Sequence, residues 1–165
     1  MECFMEDINL KPNEFWPWAH ERIKHWLEAR RELLVTFCQL TSIKDFHDDD
    51  LAQGKQLQMF CQQLVDYISE GHFEIFEQLI NEGHLFNDAK ALASGKKLLP
   101  AIYALTDLIL DFNDKYLATD DLSSLATDLS VLGENLAQRF EIEDRMVNIL
   151  HSAHYQQVLI KKPPN

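Results

Sequence analysis

The chain has 165 residues, of which 46% are hydrophobic, and it carries a formal net charge of −12 at pH 7. Its length suits one domain with its own core, and its hydrophobic content excludes a disordered chain. The acidic balance argues against nucleic acid as a direct partner, because phosphates are bound by Lys and Arg, and it either favours a basic partner or serves solubility.

The first predicted helix follows an N-terminal arm, residues 1–14. Apolar residues recur with helical spacing from about 15 to 41. Arg30 falls within this apolar stripe, so either its charge reaches past the core to solvent, or it is partly buried and paired with a carboxylate of another helix. The acidic run 48–50 follows, and it suits the N-cap and first turn of a second helix better than a metal-binding loop.

The second helix contains the least ordinary pattern in the chain. It is predicted from about 50 to 69, and it continues, straight or bent at Gly71, to about 81. On a helical wheel, the face opposite its apolar stripe carries the carboxylates of Asp66, Glu70, Glu74 and Glu77. Phe73 lies among them, so either this ring is exposed on an acidic face, or Gly71 breaks the helix and returns Phe73 to the core. The pattern alone favours neither alternative.

Three further helices complete the predicted fold. They are a short helix near 86–94, a third long helix from Pro100 to about 117, and a fourth from about 121 to 153. Four long amphipathic helices with short connections predict a single domain, an all-α, up-down-up-down four-helix bundle over about 15–153. Residues 154–165 are expected to form a frayed tail.

Polar residues continue the apolar stripe of the fourth helix beyond Phe140. Glu143 and Asp144 fall near the same angle as the apolar residues before them. Either this helix extends beyond the end of the bundle there, or these side chains are buried and paired. Arg22 or Arg30 are then the expected partners, because the first helix runs antiparallel to the fourth.

No sequence pattern for catalysis or cofactor binding accompanies this fold. Di-iron bundles need Glu-x-x-His on two helices, which this chain lacks, and it also lacks phosphate-binding glycine loops and the Gly-x-Ser-x-Gly elbow. His151 and His154 have helical ligand spacing without companion ligands, so solvated or capping roles are expected. The sequence therefore predicts no enzyme, no metal site and no cofactor.

Cysteine usage and hydropathy indicate the compartment. The three cysteines form no Cys-x-x-Cys pair, which suits a reducing environment. No signal peptide opens the chain, and no apolar run approaches the roughly 20 residues that span a membrane. A cytoplasmic protein without membrane contact is therefore predicted.

The acidic stretch around Phe73 is the positive functional feature of the sequence. Between Lys55 and Lys90 there is no Lys or Arg, and there are six acidic residues. An aromatic anchor ringed by charge is typical of a binding hot spot, and a rim of carboxylates speeds the association of a basic partner. The sequence therefore predicts a protein-binding surface here.

Three long blocks of the sequence carry a resemblance to a known family. They are HWLEARRELLVTFCQLTSIK (25–44), FCQQLVDYISEGHFEIFEQLI (60–80) and LGENLAQRFEIEDRMV (132–147). In order and spacing they resemble the Rsd/AlgQ family, the bacterial regulators of sigma D. The resemblance implies a cytoplasmic helical bundle that acts as an anti-sigma factor in stationary phase, by binding the C-terminal domain of the primary sigma factor, sigma-70.

The resemblance also implies which residues meet the partner. By their positions in the second block, Asp66 and Phe73 are expected to contact sigma, and Glu70, Glu74 and Glu77 are added from the helical wheel. The expected partner is sigma-70 alone, without nucleic acid or membrane, and the expected state of the bound protein is a monomer. The alternatives are a bundle adaptor with a different protein partner and a metal-binding bundle enzyme.

Overall fold

The structure, a computed structural model, describes residues 10–160, which are helical nearly throughout. Its helices are α1 (Pro12–Thr41), α2 (Leu51–Glu70), α3 (Phe76–Leu85), α4 (Ala89–Lys96), α5 (Leu99–Ala118), α6 (Leu125–Leu150) and α7 (Tyr155–Ile160). A π-helical turn, Gly71–Ile75, joins α2 to α3, and a 3-10 turn, Ser152–His154, precedes α7. The described range contains no strand, so the predicted all-α class is confirmed.

Four antiparallel units form the bundle: α1, the bent α2–α3 unit, α5 and α6. The relative direction of α1 and α2 follows from their contacts, because Trp26 stacks on Tyr67 while Phe37 meets Phe60. α1 packs on α2 and α3, α2 packs on α5, and α6 packs on α5 and α3. The predicted four-helix bundle is therefore confirmed, with a bend in its second unit.

The apolar stripes of the long helices supply the core. Trp26, Phe60, Leu64 and Ile109 are fully buried at its centre. Burying a side chain of this size stabilises the fold by roughly 1.5–3 kcal/mol, so packing of the stripes, more than helix propensity, holds the helices together. Over the described residues, none of the helices combines the length and the apolar character needed to cross a membrane.

The acidic run before α2 begins that helix. Asp50 is the N-cap, and its Oδ1 accepts hydrogen bonds from the backbone N–H groups of Ala52 at 3.0 Å and Gln53 at 3.2 Å. Asp48 accepts a bond from the Leu122 N–H at 2.9 Å, so it ties the α1–α2 loop to the loop before α6. The capping role interpreted from the sequence is what Asp50 performs.

The C-terminal elements differ from the predicted ones because the chain turns back on the bundle. α6 ends at Leu150, and not at 153, since His151 leaves the helical region with φ −129°. Tyr155–Ile160 forms α7 within the segment expected to be frayed, and this helix packs against α1. Residues 1–9 of the predicted arm and 161–165 of the predicted tail lie outside the described range.

Candidate functional site

The acidic face, defined as Asp66, Glu70, Phe73, Glu74 and Glu77, follows the chain from α2 through the π turn into α3. The sequence left open whether Phe73 is exposed or returned to the core. In the structure its side chain is 58% exposed, so Phe73 faces solvent. Asp66, Glu74 and Glu77 are exposed as well, and Glu70 is half-buried. An aromatic ring therefore stands among carboxylates on the surface of the bundle.

The π turn, Gly71–Ile75, carries Phe73 and changes the phase of the helix after it. The Phe76 N–H bonds to the Gly71 carbonyl, five residues back instead of four, so this turn holds one extra residue. Gly71 keeps helical angles (φ −57°, ψ −50°), so the helix does not break; the extra residue rotates the helix after the turn and packs Phe76 against Trp26. Gly71 permits this close approach, since a Cβ there would lie 3.2 Å from Trp26 Cζ2.

A network of charged and polar side chains, most of them buried, lies behind this turn. We call it the central network; its members are Arg30, Tyr67, His72, Thr106, Arg139, Glu143 and Asp144. Glu143 is fully buried, and its Oε2 accepts bonds from the Tyr67 hydroxyl and from Arg30 Nη2 at 2.8 Å. Its Oε1 accepts a bond from the fully buried Arg139 Nε at 2.5 Å. Two arginines thus share one carboxylate in the core.

The sequence left open whether the charge of Arg30 reaches solvent or is partly buried and paired. In the structure it is partly buried and paired with carboxylates of another helix. Besides its bond to Glu143, its Nη1 lies 2.7 Å from Asp144 Oδ1, and its Nε donates to the Tyr67 hydroxyl oxygen at 3.0 Å. The antiparallel packing of the bundle brings these acidic residues of α6 beside α1. Burial and the neighbouring Glu143 raise the pKa of Tyr67, so its hydroxyl stays neutral and donates to Glu143.

The central network reaches the π turn through Thr106. The Thr106 hydroxyl donates to the Ile102 carbonyl at 2.7 Å, so its oxygen accepts bonds from Arg139 and from His72 Nε2, the latter at 2.9 Å. Burial and the charge of Arg139 lower the pKa of His72 to about 4, so this imidazole is neutral and donates its Nε2–H. Because His72 directly precedes Phe73, the network holds the turn that presents Phe73 to solvent.

Arg22, the other expected partner of Glu143 and Asp144, lies elsewhere, so that prediction is wrong. Arg22 precedes Arg30 by eight residues, which places the two side chains about 80° apart around α1. The guanidinium carbon of Arg22 lies 4.2 Å from the centre of the Trp18 ring. Arg22 and Trp18 line an open groove between α1 and the acidic face.

A second buried cluster lies at the far end of α3. The histidine–glutamate cluster is a hydrogen-bonded chain of five side chains in the order Asp88, His154, Glu82, His151 and His20. Its four links measure 2.9, 3.2, 2.7 and 3.0 Å along that order. The solvated or capping roles expected for His151 and His154 are wrong, because the turn after α6 buries both rings around Glu82.

Aromatic stacking holds the rings of this cluster in place. Trp16 stacks on His151 with 4.3 Å between ring centres, and its Nε1–H donates to the His151 carbonyl at 2.9 Å. Phe86 stacks on His154 at 4.4 Å. No group of three or more His, Cys, Asp or Glu side chains among residues 10–160 has an arrangement that could hold a metal ion. The links of the cluster are hydrogen bonds between side chains.

Sequence reasoning missed several members of these clusters. Arg139 carried a usable signal, since it lies four residues before Glu143 and such pairs are neighbours on a helix. Tyr67, Thr106 and Glu82 carried none, because each bonds to side chains more than 30 positions away in the sequence. Only the packing of helices brings such residues together.

Comparison with known proteins places the chain in a family. A family model described as "Regulator of RNA polymerase sigma(70) subunit, Rsd/AlgQ" matches residues 8–151. The chain belongs to the Rsd/AlgQ family. The matched span includes the whole acidic face and the whole central network, and it ends at His151 of the histidine–glutamate cluster. The resemblance seen in the three sequence blocks is thus confirmed.

Named relatives agree with the Rsd/AlgQ assignment. The protein named Regulator of sigma D from Yersinia pseudotuberculosis serotype O:1b (strain IP 31758) is 36% identical over 134 residues, or 78% of this chain and 79% of the relative. The protein of the same name from Pectobacterium carotovorum subsp. carotovorum (strain PC1) is also 36% identical over 134 residues, 78% of this chain and 87% of the relative. These Rsd-type relatives are aligned over most of their length.

Proposed function

We propose that the chain is an anti-sigma factor that regulates transcription by binding the C-terminal domain of the primary sigma factor, sigma-70. The observation that carries this proposal is the exposed Phe73 ring in a stretch, Lys55 to Lys90, whose interior has no Lys or Arg. Membership of the Rsd/AlgQ family supports sigma-70 as the partner. The protein acts in the cytoplasm in stationary phase, and it binds sigma as a monomer.

The proposed mechanism is occlusion without catalysis. The C-terminal domain of sigma is a helix-turn-helix that reads the −35 promoter element and contacts the core polymerase, and its DNA-facing surface is basic. The carboxylates of the acidic face attract such a surface, and Phe73 supplies the apolar area that gives the complex its lifetime. Sigma bound in this way cannot join the polymerase and read the −35 element at the same time.

The central network supports this proposal because it fixes the anchor before the partner arrives. The π turn is held from inside through His72 and Thr106, and Gly71 packs against Trp26. A preformed site loses less conformational entropy on binding than a loop that must first be ordered. Phe73 is therefore presented by a rigid element.

Removing the anchor is the direct test. We expect Phe73→Ala to weaken binding of the isolated sigma-70 C-terminal domain about tenfold or more, because truncating a buried aromatic anchor typically costs over 1.4 kcal/mol. Asp66→Ala is expected to weaken it by a smaller factor. Isothermal titration calorimetry of the wild type and both variants measures these changes.

Matched controls come from α5. Leu117 is 65% exposed and Asp114 is exposed, and both lie toward the end of α5 opposite to Thr106, which contacts the π turn, so Leu117→Ala and Asp114→Ala remove an apolar and an acidic surface group away from the acidic face. Both are expected to bind as the wild type does. Equal binding by all five proteins contradicts the site, whereas a wild type that does not bind sigma contradicts the function and favours an adaptor with another partner.

Salt dependence tests the role of the carboxylates. We expect the association rate with the sigma domain to fall about tenfold between about 0.05 M and about 0.5 M NaCl, because ionic screening weakens steering between charged surfaces. Stopped-flow fluorescence measures this rate. Phe73→Ala should keep the same salt slope, and Asp66→Asn combined with Glu74→Gln and Glu77→Gln should flatten it. A slope that the triple variant leaves unchanged argues against steering by this face.

A further inference from the structure

An open groove of about 810 Å³ separates the acidic face from α1. On the α1 side it is lined by Trp18, Glu21, Arg22 and His25, and on the other side by Ser69, Glu70, Phe73 and Glu74. An aromatic ring is therefore available from each wall, and carboxylates are available from both. Aromatic faces together with carboxylates are the groups that bind guanidinium and ammonium side chains.

The charged residues that line the groove carry a net negative charge. Glu21, Glu70 and Glu74 line it with one arginine, and within residues 10–160 neither Glu70 nor Glu74 forms an ion pair. Burial and the neighbouring Glu74 raise the pKa of Glu70. The half-buried carboxylate of Glu70 and the exposed carboxylate of Glu74, about one helical turn apart, thus repel each other, and a cation placed between them would relieve the repulsion.

Arg22 shows that the groove already accepts a cation. Its guanidinium carbon lies 4.2 Å from the centre of the Trp18 ring, within the distance at which a ring face attracts a cation. Arg22 is exposed and has no ion pair among the described residues, so its head group is held by this ring contact and by a longer-range attraction to Glu70. An exposed cation–π contact is worth only about 0.5–1 kcal/mol, so Arg22 is easily displaced.

We propose that this groove receives an arginine or lysine side chain of the protein partner, seated between Trp18 and Phe73 and paired with Glu70 and Glu74, in exchange for Arg22. The inference rests on the proposed function only in taking that partner to be the one that covers Phe73. The binding surface then has two walls, one from α1 and one from the π turn. Arg22 competes with the partner for the same place.

The test compares charge changes inside and outside the groove. Binding of the sigma-70 C-terminal domain is measured for Glu70→Gln and Arg22→Met, with Glu32→Gln and Arg31→Met of α1 as controls that change the net charge equally. We expect Glu70→Gln to weaken binding about tenfold and Arg22→Met to strengthen it about threefold. The controls should shift affinity less than twofold. Equal shifts in groove and control variants overturn the inference while the proposed function stands.

A second measurement keeps the test independent of sigma. The blocked dipeptide acetyl-Arg-Arg-amide is titrated into the ¹⁵N-labelled full chain. We expect saturable shifts of the Trp18 indole and the Glu70 and Phe73 amides, about tenfold weaker in Glu70→Gln and stronger in Arg22→Met. Shifts scattered over other acidic segments, or none at these three groups, overturn the groove as a cation receptor whether or not sigma binds.

Discussion

Replacing Glu143 with glutamine lowers the free energy of unfolding by about 3–5 kcal/mol, because the exchange leaves buried charge without its counter-ion. Arg139 is fully buried and Arg30 nearly so, and both donate to this one carboxylate. The amide that replaces it carries no charge, so Arg139 is left without a counter-ion in a medium of low dielectric constant, while Arg30 keeps Asp144 alone. Urea denaturation followed by circular dichroism measures the loss.

The same helix supplies a matched control for this prediction. Glu141 and Arg145 form a second ion pair with the same four-residue spacing, but their side chains are 68% and 61% exposed. Glu141→Gln is expected to cost less than about 0.5 kcal/mol, since water and salt screen an exposed pair. If both substitutions destabilise the protein equally, this contradicts the prediction that Glu143 balances buried positive charge in the central network.

The free energy of unfolding falls by about 2 kcal/mol between pH 6.5 and pH 8, because the histidine–glutamate cluster holds a proton that the unfolded chain releases. Burial raises the pKa of Glu82 to about 8, well above its ordinary value of 4.5. Glu82 lies in hydrogen-bonding distance of both His151 and His154, and its raised pKa keeps its carboxyl group protonated in the folded protein near neutral pH. Folding takes up this proton, and stability is lost as pH rises through the pKa of the folded state.

Below pH 6.5 the histidines of the cluster oppose the pH dependence that Glu82 sets. Burial and the neighbouring His154 lower the pKa of His151 from 6.5 to about 4. Between these values the unfolded chain binds a proton at His151 that the folded protein does not, and this offsets the proton that Glu82 takes up on folding in the same range. His20 acts in the same direction, since burial and His151 lower its pKa too. The contribution of the cluster to stability is therefore largest near pH 6.5.

Glu82→Gln identifies the group responsible for the slope on the alkaline side. The amide can donate to one imidazole and accept from the other, as the protonated carboxyl does, but it has no proton to release. We expect urea titrations at several pH values to show the loss of stability above pH 6.5 in the wild type and not in this variant. Glu77→Gln, an exposed residue of the same helix, should keep the wild-type slope. A Glu82→Gln protein with the wild-type slope contradicts the assignment.

The π turn shows where periodicity stops being informative. An α-helical wheel assumes the same rotation at every residue, so one extra residue at Gly71 changes the phase of every later position. The sequence left open a second helix that is straight, bent or broken at Gly71, and the structure has a bent, continuous helix with a shifted phase. Phe73 stays outside and Phe76 enters the core, because Trp26 packs against the turn.

Long-range pairing was predictable only where both partners carried a local anomaly. Arg30 interrupts an apolar stripe, as does Glu143, and antiparallel helices bring the two together. Arg22 was wrongly offered the same role, because the angle around α1 directs it to the groove. His151 and His154 looked ordinary at a helix end, and their burial depends on Glu82, about 70 residues earlier in the chain.

The sequence by itself determined the class of the fold, the four long helices and the acidic stretch, because apolar spacing and charge are properties of neighbouring residues that persist over many turns. Only the tertiary structure decided which way Phe73 faces, which carboxylates hold buried arginines, and that a groove opens between α1 and the π turn. Those features depend on the phase and packing of helices that are distant in the chain, and the free energies of burial and charge pairing that select them arise only when the helices meet.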